Sequence, residues 1–541
     1  MFIDARTLDE GQSFSADICI VGAGPAGLTL ALDLSARSGM RILLVESGSF
    51  EADSAVEALS QGTSVGDPYV DIATMRARRF AGAAAIWHTA LPGSTGAKYV
   101  PLDPIDFEKR SWIPHSGWPL DYAQLVPWYE KAMKFCGVGP FQFSAQDWSS
   151  PDAQPWPLEN TDVQSAAYQL SPDLFFTRDA RATLAAAENV QCLLNATVVA
   201  VGASPPGSQD LAGHAITGLK ARTLSGRSLD LRATLYVLAA GSIENARLLL
   251  AWGIGNQQDQ VGRYYMDHPS QAVIDIVPAD RSLFDRSAFY DRRKVRGSDI
   301  FGRLVLTRAA MEREKLLNLA LMVFPRPAPY RWRAVDAVWS LKRVIRNRTF
   351  TLQSLRYLFR AAIGAPWIVD YVRRRRRGEH FISQGWSQWR DNAHSYRIFT
   401  PTFNLEQAPD PDNRITLGPT RDALGIPQPI IHWKWRDLDR RSVTRAVEIF
   451  DAAFRQAGLG HCVPSATPGF LAGNHHPAGT TRMSDDPRNG VVDAAGKVHG
   501  LSNLFVNGPS VFPTCGYANP TLTNVALSLR LADHLAQSVR R

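Results

Sequence analysis

Asp17-Ile18-Cys19-Ile20-Val21-Gly22-Ala23-Gly24-Pro25-Ala26-Gly27 is the stretch that decides the fold. Asp17 to Val21 is a short apolar run of the kind that forms a strand buried on both faces. It runs into a G-x-G-x-x-G turn, and Leu28 to Leu34 continue at helical spacing. A second apolar run, Arg41 to Val45, ends in Glu46. Together these make a compact βαβ unit. Gly22 permits the tight turn, Gly24 lets the backbone approach a pyrophosphate, and Gly27 lets the helix pack close to the strand. The free N–H groups at the helix N-terminus favour negative charge. Glu46, 24 residues after Gly22, stands where an acid meets ribose hydroxyls. The unit predicts dinucleotide binding and does not by itself separate FAD from NAD.

Outward from this unit, the chain has 541 residues, enough for three or four domains of roughly 150 residues. Hydrophobic residues make up 45% and charged residues 20%, which excludes wholesale disorder. The five cysteines, Cys19, Cys136, Cys192, Cys462 and Cys515, are odd in number and scattered without a C-x-x-C. That argues against a disulfide framework or a zinc ribbon, and no metal site is expected. The N-terminal MFIDARTLDEGQSFSAD lacks the apolar core of a secretory signal. No apolar run is long enough to span a bilayer. The expectation is a cytoplasmic protein, soluble or peripherally membrane-associated.

Strand-like runs recur at Val190–Leu194, Ala196–Val201 and Leu235–Gly241, the last leading through Ser242 into a helix. Residues 100–190 are rich in Trp, Pro and Tyr, with a helical patch at Tyr122–Tyr129. An amphipathic helix, Leu522–Leu535, ends the motif-dense C-terminal part. This distribution predicts one dinucleotide-binding domain from residues 1–100, 190–275 and 466–541. It is interleaved with a substrate-binding domain from 101–189 and 276–465.

The C-terminal part carries the chemistry-bearing motifs. Gly473-Asn474-His475-His476-Pro477-Ala478-Gly479-Thr480-Thr481-Arg482-Met483 is followed by Asn507-Gly508-Pro509 and by Tyr517-Ala518-Asn519-Pro520-Thr521-Leu522-Thr523. Upstream stand Ala239-Ala240-Gly241-Ser242-Ile243-Glu244-Asn245 and Val261-Gly262-Arg263-Tyr264-Tyr265-Met266-Asp267-His268-Pro269. In this order, after an N-terminal glycine-rich turn, the set resembles the glucose–methanol–choline (GMC) flavoprotein oxidoreductases, on the side of the branch that contains pyranose oxidases. The resemblance covers both ends and the middle of the chain and is weak over the substrate block.

The resemblance implies an α/β fold in which a Rossmann-type FAD-binding domain is interleaved with an α+β substrate domain, an antiparallel sheet flanked by helices. It implies FAD as cofactor and oxidation of a CH–OH group, with the hydride going to flavin N5. His476 matches the family's catalytic His, and Asn519 the partner position, occupied in the family by His or Asn. A His titrates near neutral pH and can take the hydroxyl proton, while an Asn amide can hold the same oxygen in place. His475 reads as a packing neighbour, and His268 and His499 as structural or cofactor-adjacent. By the same resemblance Gly82 and Ala83, in Phe80-Ala81-Gly82-Ala83-Ala84-Ala85-Ile86-Trp87-His88, line the isoalloxazine. Val198 reads the adenine through its backbone. Ala240, Gly508 and the backbone of Asn519, Pro520 and Thr521 approach the pyrophosphate and flavin. A helix starting near Pro520 would aim its N-terminus at the flavin N1–C2 oxygen region. The Asn507-Gly508-Pro509 sequence departs from many relatives at the ribityl contacts. Pyranose oxidases attach FAD covalently through a His just before the Trp; here that position is Ile86, so the FAD is expected to be non-covalent, with His88 a displaced alternative.

Residues 331–377 contain 13 Lys/Arg and 2 Asp/Glu, which leaves a net charge of −3 on the rest of a chain that is +8 overall. Trp332, Val335, Trp339, Lys342 and Arg346 fall at helical spacing; Leu352, Leu355, Leu358, Ala362 and Trp367 continue it, and Arg373–Arg377 close it. Such a basic helical insertion suits a solvated surface, an anionic membrane or a protein contact; nucleic acid is a poor match. The expected substrate is a secondary ring alcohol of a sugar, glycoside or cyclitol, with O2 or a quinone as electron acceptor. A lipophilic or primary alcohol at a membrane surface, and a lyase with a structural FAD, are the alternatives.

Overall fold

The computed structural model describes residues 1–37, 39–87, 89–91, 94–172, 174–203, 215–327, 329–376, 385–388, 392–471 and 475–539. Among these, the apolar run of the opening motif extends to Ser13–Val21, and the helix behind the glycine turn spans Pro25–Arg37. That strand sits at the centre of a sheet ordered Phe2–Asp4, Val190–Leu194, Ile42–Val45, Ser13–Val21, Ser228–Leu238, Ile216–Arg222, Thr197–Ala203. Leu504–Val506 adds to Ser228–Leu238. The register decides where the site lies. Val21 pairs with Val45 and with Leu238, and Leu238 with Val506, all in parallel. Four carboxyl ends therefore finish level, and the segments that follow them converge on one crevice: Gly22–Gly24, Glu46, Ala239–Gly241 and Gly508. Open α/β sheets bind ligands outside the carboxyl ends of their strands.

A second sheet is antiparallel throughout and runs Pro325–Pro327, Tyr396–Phe399, Ser270–Pro278, Thr402–Leu405, Leu319–Met322, Ser298–Leu306, Val163–Pro172, Ser94–Tyr99, Thr89–Leu91. Arg292–Val295 and Gly460–Leu471 join it as side branches. The helix Asp437–Gln456 covers it, burying Val443, Ala446, Ile449, Phe450, Ala453 and Phe454 in a core shared with Ile274, Ile276, Phe399 and Phe403. The apolar residues of that helix recur at three- and four-residue intervals, which is why one face is buried. Strand placement differs from the sequence division at three points. Thr89–Leu91, Ser94–Tyr99 and 270–275, grouped by sequence with the first domain, form strands of the second sheet, as do 466–471 at the end of Gly460–Leu471. In a small third sheet Pro427–Trp433 pairs with Thr63–Gly66 on one side and Arg414–Arg421 on the other, so the two domains are also tied through their strands.

The C-terminal helix, Thr521–Val539, packs against Pro25–Arg37 and Tyr122–Phe135. Tyr129 and Thr523 share a hydroxyl–hydroxyl hydrogen bond at 2.9 Å. This packing brings the N-terminal end of the last helix beside that of the first, at the mouth of the same crevice.

Candidate active site

The glycine turn is held by close contact at both ends. A Cβ on Gly27 would lie 1.9 Å from the Gly22 carbonyl oxygen, and one on Gly82 would lie 2.9 Å from Gly24 Cα. The first leaves room for the helix only because residue 27 is glycine. The second shows that the small-residue loop beginning at Ala81, itself left-handed at φ 73°, lies against the turn. The Glu46 carboxylate is buried and accepts the backbone N–H of Ala23 through Oε2 and of Gly48 through Oε1, both at 2.9 Å. Burial raises its pKa, and these two donors oppose the shift. Glu46 thus fastens the turn from below while still lining the crevice.

The crevice holds about 1590 Å³ of space not filled by atoms, its open mouth included. Gly22, Gly24, Glu46, Gly82, Ala83 and Val198 line it, as do Ala240, Gly508, His476, Asn519, Pro520 and Thr521. Gly27 does not: it acts at the helix–strand contact behind. Ile86 follows in the loop, Trp87 lines the crevice, and His88 lies outside the described residues. The elongated set runs from a glycine turn at a helix N-terminus to small residues and a second helix N-terminus. It fits a dinucleotide of the size of FAD. Asn524 Oδ1 adds to the fit: it is a buried acceptor with no partner among the described residues, in a residue that lines the same cavity.

At the far end, Asn519 Nδ2 lies 3.1 Å from His476 Nε2. His476 Nδ1 lies 3.2 Å from His268 Nδ1, and His268 Nε2 lies 3.2 Å from the Cys515 carbonyl oxygen. A carbonyl only accepts, so His268 carries its proton on Nε2 and offers a lone pair at Nδ1. His476 must then donate from Nδ1, which leaves its Nε2 unprotonated beside the Asn519 amide. Burial is the main cause pulling the His268 pKa down to about 4; the bond to Cys515 opposes it and the positive charge of Lys98 adds to it. His268 is therefore neutral at physiological pH and keeps this tautomer. The Asp267 carboxylate accepts the backbone N–H of His476 at 3.0 Å and of His268 at 2.6 Å, and the Tyr69 hydroxyl donates to it at 2.5 Å.

Sequence reasoning read His268 as structural or cofactor-adjacent; the structure brings it against the edge of His476. His475 also lines the crevice, with a left-handed φ of 62° that turns the chain immediately ahead of His476. His499 donates from Nε2 to the Ser484 carbonyl at 2.9 Å, within a C-terminal loop. Arg76, Arg78 and Glu244 also line the crevice and were not singled out by sequence. Glu244 meets Arg76 at 2.8 Å, Arg78 at 2.7 Å and Arg247 at 3.2 Å. Burial alone would raise the Glu244 pKa, but the three guanidiniums outweigh it and hold the carboxyl well below its usual range. The available signal was an Arg76-Ala77-Arg78-Arg79 run just ahead of a loop of small residues.

Residues 409–528, which include His476 and Asn519, match the family model of the GMC oxidoreductases. The match spans about a fifth of the chain. The chain aligns with solved oxidase structures over nearly its whole length. Pyridoxine 4-oxidase from Mesorbium loti superposes on 96% of this chain and 98% of its own, with a TM-score of 0.52 at 17% identity. At this identity the likeness concerns the fold. The chain is 26% identical to 6'''-hydroxyparomomycin C oxidase of Streptomyces lividus, over 96% of its length and 92% of the relative's. It is 36% identical to the fructose dehydrogenase large subunit of Gluconobacter japonicus over 154 residues, a stretch that spans about a quarter (27%) of that protein.

Proposed function

We propose that this GMC oxidoreductase oxidises a CH–OH group on a ring of a sugar, glycoside or cyclitol, with His476 taking the hydroxyl proton and FAD held non-covalently. The observation that carries this reading is the fixed tautomer of His476. A base is useful only if its lone pair faces the proton it must accept, and the His268–Cys515 chain fixes Nε2 as that lone pair. Asn519 Nδ2–H, within 3.1 Å of the same nitrogen, can donate to the alcohol oxygen while that oxygen gives its proton to Nε2. Two groups gripping one oxygen orient the carbinol carbon, and orientation lowers the barrier entropically. Once bound, FAD supplies the hydride acceptor, at N5. The C–H bond breaks with its electron pair, the O–H proton goes to His476, and a carbonyl product forms. The resulting imidazolium keeps its Nδ1–H bond to neutral His268.

Glu46, Val198 and the glycine turn would hold the adenosine and pyrophosphate part; Gly82, Ala83, Ala240, Gly508, Pro520 and Thr521 would hold the remainder. Ile86, in the position that precedes Trp87, offers no nucleophile for a covalent link. Similarity to a fructose dehydrogenase large subunit and a 6'''-hydroxyparomomycin C oxidase favours sugar-like substrates. The test is anaerobic mixing of the purified yellow protein with sugars, glycosides, cyclitols and simple alcohols. Bleaching by a ring alcohol, followed by re-oxidation with air or a quinone, is expected. A protein that no alcohol bleaches would refute the reading and favour a lyase.

A further inference from the structure

We infer that the helices Pro329–Asn347, Leu352–Ile363 and Ala365–Arg376 form a docking face for an anionic lipid membrane. This stands independently of the redox reading. Among the described residues thirteen large hydrophobic side chains are exposed, and ten of them fall between 339 and 372. Leu352 is 84% exposed, Phe350 71%, Ile363 69% and Phe359 68%. A concentration of this kind marks an interaction surface rather than ordinary scatter.

The orientation of Leu352–Ile363 is the decisive feature. Leu352, Leu355, Phe359 and Ile363 recur at three- and four-residue steps, so they form one stripe along the helix. That stripe faces out. The opposite side carries Ser354, which is buried, and Tyr357 and Ala361, which are half-buried. A helix that solvates itself against a protein core does the reverse. The platform below is firmly seated. Ala334, Val335 and Ala337 of the preceding helix are buried, and Trp367 and Tyr371 of the following one pack on the core of the second sheet. A Cβ added at Gly364 would lie 2.2 Å from Ala334 Cβ, so the turn between the second and third helices is closely fitted to the first.

Charge selects the occupant. Arg356 and Arg360 are exposed along one border of the stripe, and Lys342, Arg343, Arg346 and Arg348 are exposed at the end of the first helix. An apolar stripe edged with cations suits acyl chains beneath anionic headgroups. A second copy of the chain would bring the same positive face against itself, where like charges repel. Among the described residues no helix is long and apolar enough to cross a membrane, so the helices would lie in the interface plane.

The test is co-sedimentation of the full chain with phosphatidylcholine vesicles, with and without about a third of phosphatidylglycerol, at physiological salt. At least tenfold stronger partitioning onto the anionic vesicles is expected. Leu355→Glu with Phe359→Glu should abolish it. Arg356→Gln with Arg360→Gln should weaken it about fivefold per charge removed, and this pair keeps the stripe intact should the glutamate variant fold poorly. Wild-type protein that fails to partition onto anionic vesicles overturns the inference. So does a dimer that the glutamate pair splits while vesicle binding stays absent, because the face would then belong to a second copy.

Discussion

His268 Nδ1 accepts a hydrogen bond from His476 Nδ1 at 3.2 Å, and its own proton is committed to the Cys515 carbonyl. Two imidazoles in this arrangement act as one device: the outer ring fixes which nitrogen of the inner ring is free. His268 is thus a positioning residue for His476. His268→Phe keeps an aromatic ring but removes the acceptor, so the alternative tautomer, protonated on Nε2, competes. We expect kcat to fall about 10- to 100-fold with little change in KM or in bound flavin, in the range typical of partners that orient a functional His. His268→Gln retains a carbonyl acceptor and should restore part of the loss. A merely structural residue would lower flavin content and thermal stability in both variants alike. His476→Ala, by contrast, removes the proposed base and should cost about 10²–10⁴ in kcat while the protein stays yellow.

The same pair sets a pH dependence of stability. Burial holds the folded pKa of His268 down to about 4 against an ordinary 6.5. Between those values the unfolded chain binds the proton and the folded chain does not, so stability rises with pH across the window and levels off above it. The contribution lost at the acid end is about 3 kcal/mol. Thermal melts at pH 7 and pH 4.5 should therefore differ less for His268→Phe than for the wild type. Equal differences in both proteins would show that His268 does not titrate in this way.

Gly27→Ala should leave the protein without flavin, or without a soluble fold. Its Cβ would sit 1.9 Å from the Gly22 carbonyl oxygen, and that carbonyl cannot retreat without undoing the turn. Gly39→Ala, in the same βαβ unit, meets nothing within 4 Å and is the matched control. The flavin-to-protein absorbance ratio decides, and an alanine variant at position 27 with full flavin would contradict the packing argument.

Legibility followed sequence separation. The glycine turn, Glu46 and the strands around them could be read because each signal is confined to about thirty adjacent residues and the parallel register does the rest. His476 and Asn519 could be read because each sits in a distinctive local motif. The His268–His476 bond joins residues 208 positions apart, and Glu244 meets Arg76 across 168. Neither has a local signature, since each depends on how the sheet and the C-terminal loop dock. Ser94–Tyr99 belongs to the second sheet because Val163–Pro172 supplies its ladder partner, a choice that its own pattern does not express. The outward face of Leu352–Ile363 was equally hidden: periodicity reveals a stripe, not the direction in which it points.

Glu244 offers a final test, because its environment is so lopsided. Three guanidiniums converge on one buried carboxylate, and only Arg247 has a second strong partner, Asp422 at 2.6 Å. Glu244→Gln keeps the shape and removes the charge, leaving the buried Arg76 and Arg78 without a carboxylate and with only neutral acceptors on Ser60, Leu59 and Ser47. Breaking such a group costs about 3–5 kcal/mol, read as a drop in the unfolding midpoint at pH 7. The sign with pH is opposite to that of His268. The folded carboxyl pKa is depressed, so its contribution is present above the unfolded value of about 4.3 and fades as pH falls below it. The gap between wild type and variant should therefore be widest at neutral pH and narrow on acidification. Adding Arg76→Met to Glu244→Gln removes one of the unpaired cations. If repulsion among those arginines causes the damage, the double variant should be more stable than the single one; if it is less stable, the loss came from packing instead.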